Sequence, residues 1–104
     1  MISLRIDTRN NQEVVAKLNK DGEDFIEVST SENRRPESIL SLIDAVCRKA
    51  GITVHEIDEI FVEEGPGSYT GLKVGVSVAN TLSSALGKPV NGYAPGTIVE
   101  PKYE

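Results

Sequence analysis

Between a strand-like run, Ile57 to Glu64, and a helix-like run, Thr70 to Leu86, stands the segment Gly65-Pro66-Gly67-Ser68-Tyr69-Thr70-Gly71-Leu72-Lys73-Val74-Gly75. Gly65 and Gly67 can adopt backbone angles closed to other residues, and Pro66 freezes one angle between them. Ser68 and Thr70 are candidate N-caps for the helix that follows. Such a turn makes either an anion cradle at a helix N-terminus or a fixed launch angle for a packing helix. Any fold must accommodate a strand entering this turn and a helix leaving it.

The flanking segments supply the remaining elements. Ile2, Leu4 and Ile6 alternate with polar neighbours, the period of a half-buried strand. Asn10-Asn11 makes a turn, Gln12 to Lys20 reads as a second strand, and Asp21-Gly22 is a hairpin signal leading to a third around Phe25-Val28. Pro36 suits a first helical position; Ile39, Leu40, Leu42, Ile43, Val46 and Ala50 fall on one helical face, and Gly51 is placed to end it. Thr53 and Glu56 have capping-box spacing, and Ile60-Phe61-Val62 has the apolar character of a central parallel strand. A short last strand is expected around Pro89 to Gly92. The order β-β-β-α-β-α-β predicts an α/β fold, a mixed five-stranded sheet with two main helices. That is the order of ribonuclease H-like domains and of each actin-like ATPase half-domain. Residues 1–94 are expected to form the half-domain and residues 95–104 a polar tail with little to pack.

Composition narrows the function. The chain has 104 residues, one cysteine (Cys47), one histidine (His55) and a net charge of −5. Phosphate neutralisation drives most nucleic-acid affinity, so direct nucleic-acid binding is not expected. No apolar run is long enough to span a membrane, and the absence of a signal pattern predicts a cytoplasmic chain. Cys47 excludes an internal disulfide, and neither metal nor cofactor is expected. The Arg34-Arg35 doublet reads as a solvated loop.

The glycine helix carries a wide apolar arc. At about 100° per residue, Lys73, Ser77, Asn80, Thr81 and Ser84 crowd into a wedge of roughly 100°, and the rest is apolar or small. Gly71, Gly75 and Ala79 run down the middle. One shoulder carries Leu72, Val76, Ser83 and Leu86; the other carries Val74, Val78, Leu82 and Ala85. Either the first helix covers what the sheet does not, or another protein does. The second alternative is the expectation, with Leu72, Val76, Ala79, Ser83 and Leu86 as partner interface.

The segment Gly65 to Gly75 resembles the GPGS-[FY]-TG-[LVI]-[RK]-[IV]-G signature of the TsaB (YeaZ) family. Ile6-Asp7-Thr8 is similar to that family's first-strand motif, with Asp7 and Thr8 its site residues, and Pro89-Val90-Asn91-Gly92 to its strand after the glycine helix. The resemblance runs from residue 2 to about residue 94. It implies a non-catalytic actin-like half-domain serving threonylcarbamoyladenosine formation in tRNA. It also implies docking through the N-terminal helices on TsaD, the enzyme that carries metal-binding histidines, alongside the ATPase TsaE. Family members usually continue into a second domain; without it, ATP binding by this chain alone is not expected. Where the family often has a basic-His stretch, this chain has Asn33-Arg34-Arg35, and Glu63-Glu64 precedes the glycine turn where small or basic residues are common.

Other chemistries fit less well. The glycine segment has neither Walker-loop nor dinucleotide spacing, and two carboxylates before it repel a phosphate. A metal-dependent ribonuclease H-like nuclease would use Asp7, Glu63, Glu64 and Asp44. A self-contained homodimeric interaction domain would use the same helix on a copy of itself. His55 lacks a partner for metal or acid–base work, no serine has a His-Asp set, and Tyr69 is expected to seat the glycine turn against the sheet.

Overall fold

A computed structural model of the chain describes residues 1–10, 12–30 and 35–103. Strands β1 (Ile2–Asp7), β2 (Glu13–Lys20) and β3 (Glu23–Thr30) form an antiparallel meander. Helix α1 (Pro36–Lys49) crosses to β4 (Glu59–Val62), which pairs parallel to β1, and α2 (Tyr69–Leu86) follows. The sheet order is β3-β2-β1-β4. The expected α/β architecture is therefore present over the described residues.

Local chemistry accounts for each junction. Asp21 (φ 52°) and Gly22 (φ 94°) take left-handed angles at the β2–β3 hairpin, as a two-residue turn requires. Pro36 opens α1, and Gly51 (φ 72°) follows its C-cap Ala50. Thr53 and Glu56 close a reciprocal capping box around a 3-10 turn, Val54–Glu56. The Asn10 side chain accepts from the Gln12 amide at 2.6 Å; Asn11 and Asn33-Arg34 lie outside the described residues.

Period-2 alternation sends Leu4, Ile6, Val14, Ala16, Leu18, Ile60 and Val62 to one face, where they meet Ile39, Ile43, Val46 and Cys47 of α1 and Val76, Val78 and Ala79 of α2. The opposite face is half-polar, with Arg5 stacked 5.1 Å over Phe61.

The fifth strand is smaller than its sequence pattern implies. It is reduced to a bridge in which Val90 pairs parallel with Ile60, the Ile60 amide donating to Pro89 (3.0 Å) and the Asn91 amide to Ile60 (2.8 Å). Asn91 (φ 49°) and Gly92 (φ 79°) then turn the chain away, and the Tyr93 amide donates back to Val90 at 2.8 Å. In place of another ladder residue, the Asn91 side chain accepts from the Val62 amide (2.8 Å) and donates to the Val62 carbonyl (3.1 Å).

The segment after Pro95 is packed, contrary to the expectation of a polar tail with little to pack. Val99 is buried, and both of its backbone groups bond to the Asn80 side chain on α2, at 2.9 and 3.0 Å. The Lys102 amide donates to the Glu64 carbonyl at 2.6 Å. Tyr103 stacks on Tyr69 with ring centroids 4.4 Å apart.

Candidate functional site: the seam between the first strand and the glycine helix

The two motifs singled out in the sequence form one structure. β1 ends at Asp7, and Thr8 continues into the side of α2. Thr8 is fully buried, and its side chain fills the notch left by the missing side chain of Gly75: a Cβ there would overlap Thr8 Oγ1 and lie 2.8 Å from its γ-carbon. One residue on, the Arg9 backbone fits against Gly67, where a Cβ would stand 2.8 Å from the Arg9 Cα and carbonyl oxygen. The Ser68 amide donates to that carbonyl at 2.9 Å, and the Glu63 amide to the Ile6 carbonyl at 3.0 Å. These glycines are required because two backbones approach where no Cβ fits.

The turn itself contains a cis Gly65-Pro66 bond, and Gly65 has φ 120°. A Cβ on Gly65 would collide with the Lys102 carbonyl. Ser68 is the N-cap of α2, its hydroxyl accepting from the Gly71 amide at 3.4 Å and its carbonyl from the Leu72 amide at 2.9 Å. Thr70, the other candidate cap, is an exposed second residue of the helix.

The ionisable groups around the seam are committed to one another. Asp7 accepts from the Arg9 amide (3.0 Å) and from two nitrogens of its guanidinium (3.1 and 2.9 Å). Burial works to raise the Asp7 carboxyl, but the Arg9 bonds and charge outweigh it and hold the group below its ordinary range. Glu63 bonds to Arg5 at 3.0 Å and pairs with Arg9 at 3.9 Å; Glu64 accepts from Asn91 at 2.7 Å and pairs with Lys102 at 3.6 Å. Asp44 pairs with Arg48 on the exposed side of α1. Of the carboxylates required by the nuclease reading, Asp7 and Glu63 share the Arg9 guanidinium while Asp44 stands apart on α1, and among the described residues no three His, Cys, Asp or Glu side chains converge on a possible metal site. His55 is exposed on the 3-10 turn.

Two sequence expectations about α2 change here. Leu72, Val76, Ala79 and Ser83, expected to face a partner, are 0–2% exposed within this chain, and Leu86 is half-buried against the core. The wide apolar arc is real, but three surfaces of the chain itself cover it: the sheet, α1 and the tail. The tail fastens at Asn80, on the edge of the polar wedge, and the Ser83 hydroxyl is satisfied by the Lys88 carbonyl at 2.6 Å. Beyond its first turn, what α2 leaves outside is Lys73, Ser77, Thr81, Ser84 and Ala85, with Val74 and Leu82 half-buried. Tyr69, expected to seat the turn against the sheet, is instead 62% exposed and packs on Tyr103. Asn80 and Val99 had no motif to reveal them, and Asn91 lay in a motif read only as strand; a lone amide at the edge of the polar wedge and a Val in an otherwise polar tail were the available signals.

Comparison with known proteins matches this geometry to a family. The model of the family described as "TsaD: tRNA N6-adenosine threonylcarbamoyltransferase" matches residues 29–93, more than half of the chain. The tRNA threonylcarbamoyladenosine biosynthesis protein TsaB of Buchnera aphidicola subsp. Schizaphis graminum is 32% identical over 77 residues, which are 71% of this chain and 37% of that protein. The tRNA N6-adenosine threonylcarbamoyltransferase of Ralstonia pickettii is 48% identical over 52 residues, 50% of this chain and 15% of that one. Among solved structures, YeaZ from Pseudomonas aeruginosa superposes with a TM-score of 0.79 at 23% identity, over 86% of this chain and 43% of its own. The chain thus spans less than half the length of these relatives. No helix among the described residues is long and apolar enough to cross a membrane. With the TsaB (YeaZ) resemblance borne out in both sequence and fold, the chain belongs to the TsaD family of tRNA N6-adenosine threonylcarbamoyltransferase proteins.

Proposed function

We propose that this chain is a non-catalytic subunit in threonylcarbamoyladenosine biosynthesis that docks on a TsaD-like protein, with a TsaE-like ATPase engaged only indirectly. The carrying observation is the state of the seam: Thr8, Gly67 and Gly75 are consumed in packing β1 onto α2, and Asp7, Glu63 and Glu64 are each held by neighbouring cations or amides. These groups hold the seam together, which supports a packing role for it.

The relatives named as transferases favour a catalytic reading by name. The TsaB relative matches 71% of this chain against 50% for the Ralstonia pickettii transferase, and the solved structure that superposes is YeaZ. The docking role is therefore the better supported of the two.

Because the inner shoulder of α2 is occupied, docking falls to the outward surface of the helix layer. Both crossovers return against the parallel strands, so α1 and α2 run side by side in the same direction. On that layer Leu40 is 45% exposed, and Ala85, Ser77, Thr81 and Ser84 give α2 a face of short side chains that a partner helix can approach closely.

The test is titration of a TsaD-like protein with the wild-type chain and with Leu40→Glu and Ala85→Arg. Both positions are exposed, so both variants keep the fold. Wild-type binding weakened at least about tenfold by either variant supports docking through this layer; a hot-spot contact would account for that much. Equal affinity of all three forms, or no association of the wild type, overturns it. A stable dimer of the chain alone, dissociated by the same substitutions, would assign the surface to a second copy instead.

A further inference from the structure

We propose that residues 97–103 form a strap that opens as a unit, independently of the core, and in its closed state covers Gly65 at the entry to the glycine turn. The inference does not depend on the docking reading. The segment is fastened at two separated points. At the first, Val99 is inserted beside α2 and the Asn80 side chain takes both of its backbone groups, at 2.9 and 3.0 Å, as a neighbouring strand would. At the second, the Lys102 amide reaches the Glu64 carbonyl at 2.6 Å and Tyr103 lies on Tyr69.

Between and beside these points the chain is exposed: Ile98 is 70% exposed, and Glu100 and Lys102 also face outward. Only Val99 of the strap is buried. So few fastenings, one buried side chain, part-buried hydrogen bonds to Asn80 and one partly exposed ring stack, mark a segment that opens well below the cost of global unfolding.

What lies beneath gives the strap its consequence. The Lys102 carbonyl sits against Gly65 so closely that only hydrogen fits there, and Tyr103 covers one face of Tyr69. The Glu64 side chain is drawn toward Lys102 at 3.6 Å. The turn lies beyond the C-terminal ends of the parallel strands β1 and β4, the place where open α/β sheets present groups to ligands. Closed, the strap withholds the Gly65 Cα, the Glu64 carbonyl and one face of the Tyr69 ring; open, it presents them together.

Amide hydrogen exchange on the full chain tests this. In the wild type, the Val99 and Lys102 amides should exchange at least about tenfold faster than those of the central strand β1. In Asn80→Ala both should accelerate by a further factor of about ten, while β1 is unchanged. The loss of the Asn80 bonds is transmitted to Lys102 only if the strap opens as one piece. Tyr103→Ala, at the exposed end, should give the same paired acceleration and serves if Asn80→Ala perturbs the helix. Exchange of Val99 and Lys102 at the β1 rate would make the segment part of the core. Acceleration of one amide without the other would show two independent contacts. Either result overturns the proposal.

Discussion

Replacing Gly75 by alanine tests the seam directly. In an exposed helix position the substitution would stabilise by about 1 kcal/mol, because glycine carries the larger entropy loss. Here the new Cβ meets a fully buried Thr8: it overlaps Oγ1 and stands 2.8 Å from the γ-carbon and 3.0 Å from the β-carbon. No single rotation of Thr8 relieves all three contacts, since its β-carbon belongs to the backbone frame of the strand end. Overpacking of this kind costs about 1–3 kcal/mol, and two crowded γ atoms place it toward the upper end. Set against the propensity gain, the net loss is about 1–2 kcal/mol. With a urea slope of about 1.5 kcal/mol per molar, the midpoint should fall by about 1 M. The partner variant Thr8→Ala removes both γ atoms, including a buried hydroxyl without a hydrogen-bond partner. The double variant Thr8→Ala/Gly75→Ala should therefore recover most of the lost stability, giving a coupling energy of about 1–2 kcal/mol. Urea unfolding followed by far-ultraviolet circular dichroism measures all four forms. A midpoint that rises in Gly75→Ala, or strict additivity in the cycle, would refute the seam argument.

Two further outcomes follow from burial. Val76→Glu should unfold the chain, because an unpaired carboxylate would be placed in a core position that is 2% exposed; a folded variant by circular dichroism would contradict the assigned face of α2. The Cys47 thiol, pushed up to about 11 by burial and by the nearby Asp44 and Glu56 carboxylates, should react with a thiol reagent at neutral pH only as fast as the chain unfolds. Prompt labelling of the native chain would contradict its buried setting.

Strands, helices and caps were legible in the sequence because each has a local signature. Period-2 alternation gave β1, Asp21-Gly22 the hairpin, Pro36 and Gly51 the ends of α1, and Thr53 with Glu56 the capping box. The glycine segment was legible as a special turn, yet its purpose was not: only the structure shows that Gly75 serves Thr8 and Gly67 serves Arg9, contacts some sixty residues apart. The outward face of α2 is not fixed by its sequence pattern. Helical periodicity measures how wide an apolar arc is, not how many surfaces will cover it. The missing surface came from the tail, whose one buried apolar residue, Val99, carries no periodic signal, and whose anchor Asn80 looked like part of a solvated wedge. The fifth strand failed similarly, because Asn91 completes with a side chain what strand propensity assigns to backbone.

The most direct test of a non-catalytic supporting role is threonylcarbamoyl transfer to tRNA by a TsaD-like protein, measured with and without this chain. The account predicts no transfer by the chain alone, and transfer by the TsaD-like protein that rises when the wild-type chain is added but not when Leu40→Glu is added. Transfer by this chain in the absence of the TsaD-like protein, or a rate indifferent to its presence, would contradict the account.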